Sequence, residues 1–502
     1  MYILMVVIFV LGYMAIALEH PLKIDKAASA LLIGVLTWAI YALNAGDILG
    51  NGLNEAWVSL VEGYNFTSTA KFNELANHFV GHELEHHLIE ISEILFFLLG
   101  AMTIVEVVDH HQGFKIITDK ITTTNKVKLL WILGILTFFM SAALDNLTTT
   151  IVMITLLKKL IDDKETRWLF AGVIVFSANA GGAWSPIGDV TTIMLWIGGQ
   201  ITAANIIVKV IFPSLVSMIV PLTILSFTLK GNITRPILDS SRDFTTEKER
   251  NTVFFLGVSA LLFVPVFKTV THLPPYMGML LGLGLIWTVT ELMHKHKAEE
   301  DRRHLSVINV LSRVDVPTVL FFLGILSAVA SLQSAGHLVQ TAEWLDTITN
   351  KNIYVINSVI GILSAIVDNV PLVAGAMGMY SIDPNSIDYM VDGTFWELLA
   401  YTAGTGGSIL IIGSAAGVAA MGLEKIDFVW YMKKISLLAL VGYAAGIGAF
   451  AFQESLLSEK TLEDKVEHHD ANVNAKEITD ADAVHINSKM ELEVHKGAAA
   501  SH

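Results

Sequence analysis

Long apolar stretches, separated by short polar loops, follow one another along the chain as far as residue 453. Many of them approach the roughly 20 residues that an α-helix needs to cross the hydrocarbon core of a bilayer. Backbone polar groups in lipid must be satisfied within the segment itself, so stretches of this length predict helices. The pattern therefore predicts an all-α polytopic membrane protein.

One polar motif interrupts the apolar sequence twice. Ser-Ala-x-x-Asp-Asn occurs at 141–146 and again at 364–369. A carboxylate at membrane depth costs roughly 2.5–3.5 kcal/mol on insertion scales and usually marks an ion or proton pathway. The matching positions indicate a duplicated chain and a transporter. After each copy come a Gly-Gly pair and an Ile-Gly pair, which are Gly181-Gly182 with Ile187-Gly188, and Gly406-Gly407 with Ile412-Gly413.

The Lys and Arg residues orient these segments. They are concentrated in alternate loops, which the positive-inside rule places in the cytoplasm, and both termini then lie outside. Segment 129–157 is basic at both ends, which predicts a re-entrant hairpin that enters from the cytoplasm and turns near Asp145-Asn146. Segment 353–380 is followed by acidic sequence without Lys or Arg. This predicts the mirror-image hairpin, entering from outside and turning near Asp368-Asn369.

A long segment broken by glycines follows each hairpin, at 168–199 and at 397–423. Glycine and proline break helices, and unwound backbone persists at membrane depth only where it lines protein or a wet cavity. Each half is predicted to contain three crossing helices, a hairpin, a broken helix and a final helix. Residues 1–250 and 251–453 then form an inverted-repeat transporter. The acidic tail 454–502 has too few apolar residues for a core and is predicted to be disordered.

Composition agrees with this organisation. Hydrophobic residues make up 53% of the 502 positions and charged residues 16%, against about 25% charged in soluble domains. The absence of cysteine excludes disulfides and thiolate sites. The net charge of −15 comes from loops and tail, and no nucleic-acid partner is expected. Met1–Leu18 lacks a basic start, which favours a retained membrane helix over a cleaved signal peptide, with cleavage after Ala15-Ile16-Ala17 as the alternative.

The order of the motifs resembles the NhaD-type sodium/proton antiporters of the ion-transporter superfamily. The resemblance covers about 85–453 and rests on the two Asp-Asn tips, on Ser-Ala-Asn-Ala-Gly-Gly-Ala-Trp-Ser-Pro-Ile-Gly-Asp-Val-Thr-Thr at 177–192, and on Gly-Thr-Gly-Gly-Ser at 404–408. Dicarboxylate carriers of the superfamily have Ser-Asn-Thr at the tips, so the aspartates favour cations. The resemblance implies exchange of cytoplasmic Na+ or Li+ for external H+. It also implies functional roles for Ser141, Asp145, Asn146, Asn179, Asp189, Thr191, Thr192, Ser364, Asp368, Asn369, Ser408 and Ser414.

The chemistry of these residues suits such an exchange. Sodium is a hard cation that prefers oxygen ligands, and Asp145, Asp368 and Asp189 are predicted to hold it. Carboxylates that lie close together in a low dielectric repel one another when ionised. Binding of either H+ or Na+ neutralises a carboxylate and relieves this repulsion, so the two ions compete for it. Competition alone then produces antiport. As alternatives, each aspartate only caps a helix, and Thr191 and Thr192 only bond to carbonyls one turn back.

His82-Glu83-Leu84-Glu85-His86 matches the H-E-x-x-H zinc motif, which makes a membrane zinc protease the rival from the enzyme class. We favour an amphipathic helix from His78 to Ile94, with His86, Glu90 and Glu93 near one face at the mouth of the pathway. The resemblance implicates His86 and Glu93. Histidine titrates near neutral pH, so these residues are predicted to sense pH. A helix on the membrane surface is the alternative.

Two other transporter classes share the predicted layout: a sodium-coupled anion symporter and a metalloid permease. The favoured hypothesis is a non-enzymatic exchanger without a cofactor, whose partners are Na+, Li+, H+ and the lipid bilayer. A homodimer stays open. The bacterial cytoplasmic membrane is the expected location.

Overall fold

The computed structural model describes residues 1–62, 68–236 and 245–457. Within these ranges the regular secondary structure is helical, apart from one isolated β-bridge between Asn125 and Asn232. The predicted all-α class is confirmed for this part of the chain. The predicted tail 454–502 lies outside the described residues from position 458 onward.

The described residues up to 236 contain the first set of helices. Several short helices lie in the connections between the long apolar ones. The bounds are α1 (Tyr2–Ala17), α2 (Glu19–Leu22), α3 (Lys26–Leu43), α4 (Ala45–Leu49), α5 (Glu55–Val61), α6 (Thr69–His110), α7 (Lys115–Thr118), α8 (Lys126–Leu144), α9 (Asn146–Leu160), α10 (Lys164–Ala183), α11 (Val190–Ile197) and α12 (Ala203–Thr228).

The described residues from 245 contain the second set. Its bounds are α13 (Glu247–Thr271), α14 (Pro275–His294), α15 (Glu299–Leu305), α16 (Val307–Leu311), α17 (Val316–Ser334), α18 (His337–Thr349), α19 (Ile353–Leu363), α20 (Asn369–Met379), α21 (Thr394–Gly406), α22 (Ala415–Glu424), α23 (Phe428–Lys434) and α24 (Ser436–Leu457).

Both sets follow the predicted order of main elements. Three apolar helices (α1, α3 and α6; α13, α14 and α17) precede a helical pair that turns at Asp-Asn (α8 and α9; α19 and α20). A helix broken at glycines follows (α10 and α11; α21 and α22), and a long helix ends each set (α12; α24). The expected boundary at 250 falls within the first turn of α13, and the predicted helix from His78 to Ile94 is part of the 42-residue α6.

Eight helices of the described part are long and apolar enough to cross a membrane, namely α3, α6, α8, α12, α13, α14, α17 and α24. Large apolar side chains such as Leu43, Phe227 and Val270 lie on the outer surface, where lipid is the solvent that such side chains suit. The chain is an integral multi-pass membrane protein.

The two hairpins differ in length. Helices α19 and α20 have 11 residues each, about 16 Å at 1.5 Å per residue, which is close to half of a hydrocarbon core of about 30 Å. Helices α8 and α9 have 19 and 15 residues, and α8 alone is long enough to cross. Length therefore favours a re-entrant arrangement for the second hairpin more strongly than for the first.

Helices α3 and α17 form a closely packed pair. A Cβ atom on Gly34 of α3 would lie 2.6 Å from the carbonyl oxygen of Gly324 in α17, so only glycine permits this approach. Trp38 Nε1 donates to the Ser327 carbonyl at 2.9 Å, and the Tyr41 hydroxyl donates to the Ser334 carbonyl at 3.0 Å. These contacts run along the interface and hold the two helices close together. Met1–Ala449 is one compact unit, and a second begins at Phe450.

Candidate functional site

The helices that start after the hairpin turns and after the helix breaks each begin with a polar side chain that caps the N-terminus, where backbone N–H groups lack partners within the helix. Asp145 caps α9, Asp189 caps α11, Asp368 caps α20 and Ser414 caps α22. A carboxylate is stabilised as an anion at a helix N-terminus, so the three aspartate caps concentrate negative charge at these positions.

Asp189 lies at the centre of the contacts between the two halves of the chain. Its side chain is fully buried. The Asn146 side chain, from the first hairpin, donates to Asp189 Oδ2 at 2.6 Å, and the Asn369 side chain, from the second, donates to both oxygens at 3.3 Å. No ion pair joins Asp189 to a basic side chain of the described residues within 4.0 Å.

Asn179 of α10 extends this network towards the second broken helix. Its Oδ1 accepts from Asn146 Nδ2 at 3.1 Å, and its Nδ2 donates to the hydroxyls of Ser408 and Ser414 at 2.9 Å each. All these side chains are buried. We call the set the central cluster: Asn146, Asn179, Asp189, Asn369, Ser408 and Ser414.

Matching contacts hold the hairpins against the broken helices in both halves. Ser141 donates to the Ala178 carbonyl at 2.6 Å, and Ser364, at the same place in the second motif, donates to the Ala403 carbonyl at 2.9 Å. Both hydroxyls therefore serve interhelical packing. The glycine pairs serve it too, because a Cβ atom on Gly181 would collide with the Phe138 carbonyl and one on Gly406 with the Gly361 carbonyl.

Asp145 sits in a strained backbone conformation. With φ 73° and ψ 160°, it occupies a region that is essentially restricted to glycine and costs of order 1–3 kcal/mol. Its carboxylate accepts from the Thr148 amide and the Thr148 hydroxyl, each at 2.8 Å. Strain of this kind persists where the surrounding structure imposes it, and it is common at functional sites.

Asp368 has an ordinary backbone conformation and a different partner. Its Oδ2 lies 3.6 Å from Nζ of Lys26, the first residue of α3, and its Oδ1 accepts from the Val370 amide at 3.4 Å. Neither Asp145 nor Asp368 forms a hydrogen bond to the central cluster within the described residues. Both lie near enough to Asp189 to repel its charge. Lys26 gave no signal in the sequence, because its partner lies far away along the chain.

The threonines after Asp189 have different roles. The Thr192 hydroxyl donates to the Asp189 carbonyl at 2.8 Å, as the structural alternative predicted. Within the described part of the chain, the buried Thr191 hydroxyl has no hydrogen-bond partner, and neither have those of Thr149 and Thr150 on α9. Thr149 and Thr150 lie on the same helical face as Asn146, three and four residues on. Their spacing from Asn146 is visible in the sequence, although neither threonine is among the predicted site residues.

A cavity of about 310 Å³ lies between α6, α11, α17 and α20. It is lined by the C-terminal parts of α11 and α20, including Met194 and Met377, while Asp189 and Asn369 lie at the N-terminal ends of the same helices. Met194 is in the second turn of α11, about 7 Å along the helix from Asp189. The cavity therefore approaches the central cluster from one side.

Residues of α6 form the opposite wall of this cavity. Glu90 and Glu93 line it, but the histidine that lines it is His87 and not His86. His87 is buried and contacts Glu90 Oε2 at 3.3 Å. The His86 side chain is 60% exposed and lies 3.9 Å from Glu90 Oε1. Helical rotation explains this, because adjacent residues point about 100° apart.

The H-E-x-x-H motif does not form a three-ligand group as written. Among the described residues, His86, His87 and Glu90 are close enough together to share an ion, and His82 is not part of that group. The group that does form pairs His86 with His87 and Glu90, and so differs from the ligand set of the zinc motif.

The chain is similar to known membrane transporters over most of its length. Residues 3–406 match the citrate transporter family. Sodium/proton antiporters 1 and 2 of Arabidopsis thaliana are 47% and 44% identical, over 89% and 88% of this chain and 71% and 97% of theirs. The Na(+)/H(+) antiporter NhaD of Vibrio parahaemolyticus is 32% identical over 72% of this chain and 90% of its own.

Proposed function

Because the chain belongs to the citrate transporter family and, within it, to the NhaD-type sodium/proton antiporters, we propose that it exchanges Na+ for H+ across a membrane. The observation that carries the proposal is the environment of Asp189. This carboxylate is buried, accepts hydrogen bonds from the side-chain amides of Asn146 and Asn369, and has no basic partner among the described residues. A buried charge needs compensation, which either a proton or a bound cation supplies.

The central cluster provides the ligands that this exchange needs. In the present arrangement the side-chain amides of Asn146 and Asn369 donate to Asp189. Rotation of either amide by half a turn presents its oxygen instead, so the same side chains bond to a bare carboxylate and coordinate Na+ beside it. The Thr191 hydroxyl, two residues after Asp189 and buried without a hydrogen-bond partner among the described residues, is a further oxygen for the ion. Na+ and H+ then compete for one carboxylate, and loading one ion expels the other.

Citrate transport fits this site less well, although the matched family is described by that substrate. A tricarboxylate needs cationic recognition, and bidentate arginine is the usual partner of a carboxylate. The central cluster contains Asp189, with Asp145 and Asp368 near enough to add to its field. Three aspartates repel a polyanion and attract a cation.

In the proposed exchange, the ion site opens alternately to the two sides of the membrane. The two halves of the chain then act as an inverted repeat, with re-entrant hairpins that meet near the midplane. The shared order of elements and the matched bonds of Ser141 and Ser364 support it. Asp145 and Asp368 take part as additional sites for Na+, Li+ or H+.

The entrance residues remain a prediction, namely His86, Glu90 and Glu93, and His87 is now added to them. The exchange requires no cofactor. The similar proteins come from both plants and bacteria, so the location of this protein in a bacterial cytoplasmic membrane stays a prediction.

The orientation of the chain is expected to follow the positive-inside rule. The protein lacks cysteine, so single cysteines report position without background. Asn51→Cys and Glu165→Cys replace exposed residues in the α4–α5 connection and at the start of α10. In intact cells an impermeant thiol reagent should label the first cysteine and not the second. Labelling of Glu165→Cys from outside, or of Asn51→Cys only after lysis, contradicts the orientation.

Purified protein in liposomes tests the function directly. An imposed Na+ gradient should drive proton flux, read with an entrapped pH-sensitive dye, and Li+ should replace Na+. A choline gradient of equal strength is the control. Citrate uptake, measured in the same liposomes with a labelled substrate, should stay at the level of empty liposomes. Citrate uptake without cation-dependent proton flux identifies an anion carrier and overturns the proposal.

A further inference from the structure

The ion pair between Lys26 and Asp368 lies next to Asn369 of the central cluster, at the end of α20 that is away from the cavity. On α17, Phe321 contacts Lys26, whose Nζ lies 4.4 Å from the centre of the ring. The cavity lies further along the same helix, from Leu326 to Gln333, about 8–18 Å from Phe321 at 1.5 Å per residue. On α20 the order is the same, with Asp368 at the start and Ala374 and Met377 at the cavity.

Lys26 belongs to the closely packed pair of α3 and α17. It is the first residue of α3, which the contact between Gly34 and Gly324 holds tightly against α17. Asp368 lies in the turn of the second hairpin and caps α20. The ion pair therefore connects this closely packed helix pair to the tip of the second hairpin. Its two side chains are 21% and 13% exposed, so water screens their attraction less than at an open surface.

We propose that the Lys26 ammonium group is a tethered competitor for the cation site. When no Na+ is bound, it neutralises Asp368 and holds the hairpin tip against α3 and α17. When Na+ arrives, it displaces the ammonium group and releases the tip. We call the ion pair between Lys26 and Asp368, which Na+ breaks, the latch. Its effect on transport rests on the proposed exchange, but its opening is a property of the hairpin and can be measured separately.

The competition has a kinetic consequence. Replacing Lys26 with Gln removes the competitor, so the KM for Na+ should fall about tenfold. A hydrogen bond to a charged group contributes about the free energy that changes an equilibrium constant tenfold. The maximal rate should change less. Lys26→Arg keeps the positive charge and should restore the KM. Lys23→Gln removes an exposed cation three residues earlier and should leave the KM unchanged.

The latch has a readout that does not require transport. Ala365 lies in the same turn as Asp368 and is 3% exposed, so in Ala365→Cys the labelling rate with a thiol reagent reports release of the tip. NaCl should accelerate labelling relative to choline chloride at equal ionic strength. Lys26→Gln and Asp368→Asn should each accelerate it severalfold without Na+. Because the two act on one contact, combining them should add nothing further.

The outcomes separate the latch from the exchange. An unchanged KM in Lys26→Gln, together with unchanged labelling of Ala365→Cys in both Lys26→Gln and Asp368→Asn, overturns the latch even if exchange is normal. Sodium-accelerated labelling that is lost in Lys26→Gln supports the latch, and it does so even if liposomes show no sodium-driven proton flux. If Lys26→Gln does not fold, Asp368→Asn alone decides the labelling result.

Discussion

Replacing Asp189 with Asn is expected to abolish sodium-driven proton flux while the protein still inserts and folds. The substitution keeps the shape of the side chain and its ability to cap α11, since Asn is about as good an N-cap as Asp. It removes the charge that balances Na+ and the group that binds H+. Leaving a bound cation without its buried partner costs about 3 kcal/mol or more, so Na+ affinity should fall on the order of 100-fold.

Asp163→Asn is the matched control for this substitution. Asp163 caps α10 as Asp189 caps α11, accepting from the Thr166 amide at 2.8 Å, but its carboxylate lies at the surface. This variant should transport normally. Flux is measured with the purified variants in liposomes, and folding by the midpoint of thermal unfolding in detergent. Near-normal flux in Asp189→Asn shows that the ions bind elsewhere and that the central cluster is structural.

Asp145 offers a second test, because replacing it with glycine should raise the stability of the protein and abolish its ion exchange. Asp145→Gly removes the strain of a positive φ but gives up the carboxylate and its bonds to Thr148. Gly as an N-cap costs only a few tenths of a kcal/mol relative to Asp, whereas the strain is of order 1–3 kcal/mol. The Gly variant should therefore be about 1 kcal/mol more stable than the wild type and yet unable to exchange ions.

Asp145→Asn completes the comparison. It preserves the cap and the strain, removes only the titratable charge, and should also lose exchange. Asp368→Asn should behave likewise at the second tip. Stability is followed by thermal unfolding and exchange by proton flux across a broad pH range. If both Asn variants keep near-normal flux throughout, the two Asp-Asn motifs are structural turns and the competition of ions for these carboxylates is wrong.

The second motif shows how identical sequence features can fold differently. In the first half α8 continues to Leu144, and one residue forms the turn before α9. In the second half α19 ends at Leu363, so the same motif lies in a longer turn before α20. Ala143-Leu144 favours a helix, whereas the β-branched pair Ile366-Val367 favours it less. The motif predicted both turns, but their neighbouring residues decided where each helix ends.

The entrance histidine shows a different limit. The sequence predicted His86, Glu90 and Glu93 near one face of a helix at the mouth of a pathway, and the cavity is lined by both glutamates but by His87 in place of His86. The choice between His86 and His87 depends on the rotation of α6 about its axis. Its apolar pattern is too weak there to fix that rotation, because this stretch contains four histidines and several acids. Packing against Trp38 of α3 turns His87 inward.

The sequence by itself determined the class of the protein, the order of its elements, and the positions of its turns and helix breaks. These depend on hydropathy, glycine, proline and capping residues, which act within a few positions along the chain. Only the tertiary structure decided which polar groups meet. Asp189 became the hub because both hairpin tips reach it, and Asp368 turned towards Lys26, a residue near the opposite end of the chain. A buried polar group is satisfied by whatever the fold brings within about 3 Å, and no local pattern specifies that partner.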